Sequence, residues 1–299
     1  MASEEINAAI EFERRLAAGM AEAGPDLEAG RAFNTKMMRE RAGELPDDLV
    51  VTPVDAGGVP SEWVGRGEEA PVIFFTHSGG MVVGAPEENR ELMGRLTEAS
   101  GGRALVLGYR LAPENPWPAQ LEDALAAYRW LLASGVRPDQ VVVAGESGGG
   151  ALAARLLQAI RDEGDPLPAG AFLLSPMTDF TLSSESYEQN RESDPFVSKE
   201  AVGAMAQAVM QGQDPSVVSP LAHPVGGLPP ILIQVGTAEV IFDDGRRLAD
   251  AIEEAGGEVT FEAWQDMIHL WHGFPDLPEA QQATARLAEF VNQCVGTGA

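Results

Sequence analysis

The chain has 299 residues, 44% of them apolar, with a formal charge of −26 and only two lysines, Lys36 and Lys199. That length buries one large core or two modest ones. So acidic a surface repels nucleic acid and anionic membranes, so neither is expected as a partner. No apolar run approaches the roughly 20 residues that cross a bilayer, and Met1-Ala2-Ser3-Glu4-Glu5 lacks the basic-then-apolar order of a secretion signal. The expectation is a soluble, cytoplasmic protein whose acidity serves solubility. The single cysteine, Cys294, excludes an internal disulfide framework and a cysteine metal cluster.

In chain order, Ile6 to Leu45 reads as amphipathic helix broken at Gly24-Pro25. Val50–Val54 and Val59–Val64 are short strands around Gly57-Gly58, the pattern of a hairpin. Then follow strand Val72–Phe75, helix Glu87–Ala99, strand Ala104–Leu107, helix Leu121–Leu132, strand Val141–Ala144, helix Ala151–Ile160 and strand Ala171–Leu174. From Ser175 to about Pro224 the alternation stops, apart from a helical stretch at Lys199–Met210. It resumes with strand Ile231–Val235, helix Arg246–Ala255, strand Val259–Ala263 and helix Ala280–Val291. Alternating strands and helices imply a mostly parallel sheet covered on both faces, with ligands outside the carboxyl ends of the strands. The interruption is long enough to be a lid. The expected division is a helical cap part at 1–45, the first part of the α/β domain at 46–180, a cap insertion at 181–224 and the rest of the α/β domain at 225–299.

Chemistry concentrates at the strand ends. Gly145-Glu146-Ser147-Gly148-Gly149 joins an apolar strand to a helix. A serine on so sharp a turn stands exposed above the sheet, at the positive end of a helix. As a nucleophile it needs a base, a group that orients the base, and donors for an oxyanion. Four histidines are present. His77 opens His77-Ser78-Gly79-Gly80 after a strand, where it anchors a loop; the amides of Gly79 and Gly80, with that of Gly148, would face a substrate oxygen. Such donors contribute about 2.7–4 kcal/mol each at the transition state. His223 sits in a proline-bounded loop and reads as structural. His269 follows the strand ending near Ala263 and is the candidate base, with His272 its competitor. The two could also form an i, i+3 metal pair, but no acidic cluster completes such a site, so no metal or cofactor is expected. Glu239 is the first carboxylate after strand Ile231–Val235, with Asp243 and Asp244 beyond it. Serine, acid, histidine is the chain order of α/β-hydrolase triads.

Four blocks in order resemble the hormone-sensitive-lipase-like carboxylesterases of the α/β-hydrolase fold. They are His77-Ser78-Gly79-Gly80, Tyr109-Arg110-Leu111-Ala112-Pro113-Glu114, Gly145 to Gly149, and Met267-Ile268-His269. The resemblance implies an eight-stranded, mostly parallel sheet with helices on both faces and a helical cap. It implies a triad of Ser147, Glu239 and His269 with an oxyanion hole at Gly79, Gly80 and Gly148, short to medium acyl esters as substrates, and a homodimer through the last strand and helix. Four positions depart from the family pattern. Ser78 replaces a glycine and either bonds the loop or reaches the substrate. Glu146 and Gly148 stand where aspartate and alanine are usual, and Glu239 stands where aspartate is commoner, leaving Asp243 as the alternative acid. Arg110 and Glu114 read as holding their own turn. Phe33, Met37, Met38, Met81, Met205 and Val209 are candidates for the pocket wall. A lactone-opening hydrolase using the same triad and a non-catalytic small-ligand binder on the same fold are the competing readings.

Overall fold

A computed structural model describes residues 3–24, 26–67 and 71–296. Pro25 of the expected helix break, Met1 and Ala2 of the amino-terminal reading, and residues 297–299 of the last expected span lie outside the described residues. Two helices open the chain, α1 (Ile6–Ala23) and α2 (Leu27–Ala42). α2 starts where it does because the Asp26 side chain accepts the Ala29 amide at 3.0 Å, satisfying a donor that a helix start leaves free.

The strands are β1 (Val51–Asp55), β2 (Pro60–Val64), β3 (Val72–Thr76), β4 (Arg103–Leu107), β5 (Val141–Glu146), β6 (Gly170–Leu174), β7 (Ile231–Gly236) and β8 (Val259–Trp264). They form one sheet of eight in the order β1-β2-β4-β3-β5-β6-β7-β8. β1 and β2 make the expected antiparallel hairpin. β2 also runs antiparallel to β4, and the remaining pairs are parallel. Between them lie α3 (Arg90–Ser100), α4 (Ala119–Ala133), α5 (Gly148–Glu163), α6 (Ser186–Gln189), α7 (Lys199–Met210) and α8 (Phe242–Glu254), and α9 (Pro278–Cys294) follows β8.

The period of two along the strands sorts the core into two layers. Phe74, Leu105, Val143, Leu173 and Ile233 pack with α4, α5 and α8. Ile73, Val106, Val142, Phe172 and Leu232 face the other way, onto α3 and α9. Strands buried on both faces are what near-continuous Val, Ile, Leu and Phe runs encode.

Two of the helix starts that differ from the sequence reading do so for identifiable physical reasons. α5 begins at Gly148 rather than Ala151. Three consecutive glycines are poor helix formers, yet a β-carbon at Gly148 would meet the Gly80 backbone at 2.7 Å and one at Gly149 would meet His77 O at 2.2 Å. Close approach to the neighbouring loop, not propensity, selects glycine there. α8 begins at Phe242 rather than Arg246, so Asp243 and Asp244 fall in its first turn, where negative charge suits the helix dipole. The short α6 lies in the stretch that carried no periodic signal. By contrast α7 starts at Lys199 as expected, its end capped by Ser198 Oγ accepting the Ala201 amide at 3.1 Å.

Candidate active site

Ser147 sits at the tip of β5 with φ 55° and ψ −121°. For a non-glycine residue this backbone costs of order 1–3 kcal/mol and persists only if its surroundings enforce it. Here they do: the Ser147 amide donates to Leu174 O at 2.9 Å, and Ser147 O accepts from the Ala151 and Met177 amides at 3.1 Å each. The hydroxyl is thereby held above the sheet, facing the loop after β8.

On that loop the His269 Nε2 lies 2.9 Å from Ser147 Oγ. Its Nδ1 lies 2.8 Å from Glu239 Oε2. Glu239 is fully buried. Its other oxygen accepts from Ser175 Oγ at 2.7 Å and from the Gly236 amide at 2.5 Å. With the Nδ1 proton donated to Glu239, Nε2 is left as an acceptor for the serine hydroxyl, the tautomer a general base needs. Burial pulls the pKa of His269 down, but the hydrogen bond and charge of Glu239 outweigh it and raise it above the ordinary value. Burial likewise pushes the Glu239 carboxyl up, opposed by its bonds to His269, Ser175 and the Gly236 amide. The loops are tied together, since the Ala238 amide donates to Met267 O at 3.2 Å. The residue after the histidine, Leu270, takes a left-handed φ of 59°.

The competing residues are engaged elsewhere. His272 Nε2 donates to Gln234 Oε1 at 3.1 Å and its ring stacks on Trp271, centroids 3.9 Å apart. Asp243 accepts the Ser186 amide at 3.0 Å and pairs with Arg246 at 3.0 Å, and Asp244 accepts the Thr178 and Asp179 amides. His223 is bonded to Ser216 O at 2.9 Å. His77 is buried and donates Nδ1–H to Ser78 O at 2.7 Å, with burial lowering its pKa to about 4, so it stays neutral and holds its loop. Among the described residues no three His, Cys, Asp or Glu side chains are grouped so as to hold a metal ion, and no helix is long and apolar enough to cross a membrane.

Gly79 and Gly80 take left-handed φ values of 103° and 61°, which glycine adopts without a steric penalty. Together with Ser78, Ser147 and His269 they line a cavity of about 580 Å³. Much of its remaining wall comes from α1, α2 and α7, through side chains such as Leu16, Met20, Met38, Val202 and Met205, with Val82, Val83, Met177, Phe196 and Leu270 from neighbouring loops. Gly148 stands against the Gly80 backbone. Of the expected pocket residues, Met38 and Met205 line the cavity. Phe33 instead packs across Gly19 of α1, Met37 joins the small core between α1 and α2, and Met81 and Val209 are fully buried in the main core. Arg110 does hold its turn, through Asp123 at 2.7 Å, whereas Glu114 reaches out of it to Arg31 of α2.

The sequence reading gave no role to Ser175, Asp194 or Glu13, and did not foresee the burial of Glu146. Ser175 holds the acid, and no local pattern marks it. Asp194 accepts the Val197 and Val240 amides at 2.8 and 3.0 Å, joining the segment before α7 to the acid loop. Glu13 of α1 and Glu146 beside the serine are both fully buried. Burial pushes Glu13 up to about 8, against the nearby charges of Arg41 and His269. Burial also raises Glu146, opposed by Arg41, His269 and the Ser78 hydroxyl, and Ser78 lines the cavity. A sequence signal for Glu13 did exist: it falls on the apolar stripe of Ile6, Ala9 and Leu16.

A family profile described as alpha/beta hydrolase fold matches residues 73–273. An acetyl-hydrolase from Streptomyces hygroscopicus is 38% identical, over 90% of this chain and 92% of its own. A crystal structure of an esterase from the bacterial hormone-sensitive lipase family superposes with a TM-score of 0.93 at 38% identity, covering 99% of this chain and 100% of that one. A mutant of the esterase E40 gives a TM-score of 0.95 at 38% identity, over 98% and 100% of the two chains. The chain belongs to the α/β-hydrolase family, in its hormone-sensitive-lipase-like carboxylesterase branch.

Proposed function

We propose that this chain is a carboxylesterase that cleaves short- to medium-chain esters through an acyl-serine at Ser147. The observation that carries the reading is the unbroken hydrogen-bonded series Ser147–His269–Glu239, which opens into the apolar-walled cavity. His269 takes the hydroxyl proton as Ser147 Oγ attacks the ester carbonyl. The carbonyl oxygen becomes an oxyanion facing the amides of Gly79, Gly80 and Gly148. Glu239 keeps the imidazole in register and stabilises its cation. The C–O bond to the alcohol then breaks, with His269 donating its proton to the leaving oxygen. A water deprotonated by the same imidazole releases the acid and frees the serine. The cavity of about 580 Å³ lies within the usual range for small-molecule sites. The likeness to an acetyl-hydrolase supports a short acyl group.

The division into cap at 1–45 and 181–224 and hydrolase core elsewhere belongs to the same reading, with the cap walling the acyl and alcohol sites. β8 is the last strand of the sheet. An edge strand is where a second copy pairs, and sedimentation tests that dimer. The enzyme reading is tested by mass spectrometry after treatment with an organophosphonate, alongside turnover of aryl esters of rising acyl length and of small lactones. Labelling of Ser147, and loss of both label and ester turnover in Ser147→Ala, is expected. An unlabelled but folded wild-type protein that binds esters without turnover means a binding protein, and faster opening of lactones than of any ester means a lactonase.

A further inference from the structure

The segment Tyr109–Glu114 takes no part in these proton transfers, yet it meets the oxyanion loop along its length. Tyr109 Oη donates to His77 O at 2.7 Å, and its ring stacks on the His77 imidazole, centroids 4.2 Å apart and 13° from parallel. The Ala112 amide donates to Met81 O at 2.9 Å. Between these points Gly79 O accepts from the Val82 and Val83 amides at 3.0 Å, closing the loop into a turn.

A single side chain from the cap completes the arrangement. Arg31 of α2 donates Nε–H to Val82 O and Nη2–H to Ala112 O, each at 2.9 Å. Its two terminal nitrogens fork onto Glu114 at 2.7 and 2.8 Å. One planar guanidinium thus joins three segments, a geometry lysine cannot reproduce. Arg31 is not what docks α2. Asn34 and Thr35 donate to Glu88 at 2.9 and 2.6 Å, Arg39 pairs with Glu87 at 2.6 Å, and Met37 and Met38 are buried. An ion pair as exposed as Arg31–Glu114 adds little to stability. Its consequence is geometric, because glycine backbone has wide conformational freedom, so the orientation of the Gly79-Gly80 loop depends on the bonds made to it.

We propose that Arg31, held in place by Glu114, is a positioning residue for the oxyanion hole, coupling the seating of cap helix α2 to the orientation of the Gly79 and Gly80 amides. The inference rests on the acyl-serine reading above. The test compares wild type, Arg31→Ala, Arg31→Lys and Glu114→Gln with an aryl butyrate and with an aliphatic trifluoromethyl ketone, whose serine adduct carries an oxyanion. Misplaced donors lower kcat about 10- to 100-fold in Arg31→Ala. KM and the melting temperature stay near wild type, ketone affinity falls by the same factor as kcat/KM, and binding of the alcohol product is unchanged. Arg31→Lys and Glu114→Gln fall in between. An unchanged kcat, unchanged ketone affinity, or a loss carried by KM with a lower melting temperature overturns the proposal. Failure of the wild-type protein to form any ketone adduct at Ser147 overturns the acyl-serine reading and the inference with it.

Discussion

Replacing Glu13 with glutamine should stabilise the protein more the higher the pH. Glu13 is fully buried on α1, and neither side-chain oxygen has a hydrogen-bond partner among the described residues. Burial raises its pKa from 4.5 to about 8; the charges of Arg41 and His269 oppose the shift, while those of Asp194 and Glu146 add to it. Below about pH 4.5 the carboxyl is neutral in both folded and unfolded chains and costs nothing. Above that the unfolded chain releases the proton while the folded one retains it, so stability falls as pH rises until the folded carboxyl ionises near 8. At about 1.4 kcal/mol per pH unit the loss is roughly 3 kcal/mol at pH 7 and approaches about 5 kcal/mol at pH 8 and above. Glutamine has nearly the same shape and never ionises. The variant should therefore match wild type at pH 4.5 and unfold roughly 5–10 °C higher at pH 8, taking about 2 °C per kcal/mol for a chain of this size. Thermal unfolding followed by circular dichroism from pH 4.5 to 9 measures the difference. A gap between the two proteins that does not change with pH refutes the reasoning, because it would mean that Glu13 ionises alike in both states.

Other substitutions separate neighbouring roles. Glu239→Gln should lower kcat by about 10²- to 10⁴-fold. Because Glu239 raises the pKa of His269, the acidic limb of kcat/KM should also move to lower pH; an unmoved limb, or a like effect from Asp243→Asn, assigns the acid elsewhere. His272→Gln should reduce stability by about 1–3 kcal/mol, through loss of its buried bond to Gln234, and leave kcat nearly intact, whereas His269→Gln should abolish turnover. Equal loss of kcat in both would contradict the geometry. Met205 lies against Gly80 in the cavity wall. Met205→Ala should favour longer acyl chains by about fourfold per added methylene, from about 0.8 kcal/mol each, and an unchanged chain-length profile for aryl esters counts against this placement.

The layered architecture and the rim on which the chemistry sits were legible in the sequence, because both follow from short-range periodicity. Apolar runs such as Val72–Phe75 and Val141–Ala144, separated by helical spacing, dictate buried parallel strands. Parallel strands gather their carboxyl ends on one edge whatever the details of packing. Ser147 and the loops that carry Glu239 and His269 could therefore be picked out from strand ends and chain order. The choice between near neighbours was not. His269 and His272 share a loop, and only the left-handed turn at Leu270 together with partners 30 and 122 residues away turns one toward the serine and the other toward Gln234. The same holds for Glu239 over Asp243, which depends on Ser175 and the Gly236 amide meeting one carboxylate while α8 claims the other. The early start of α5, the burial of Glu13 and the fork of Arg31 are likewise products of contact between segments far apart in the chain. A residue's propensity is encoded in its immediate neighbours, but its hydrogen-bond partner and its solvation are decided only when distant segments close around it.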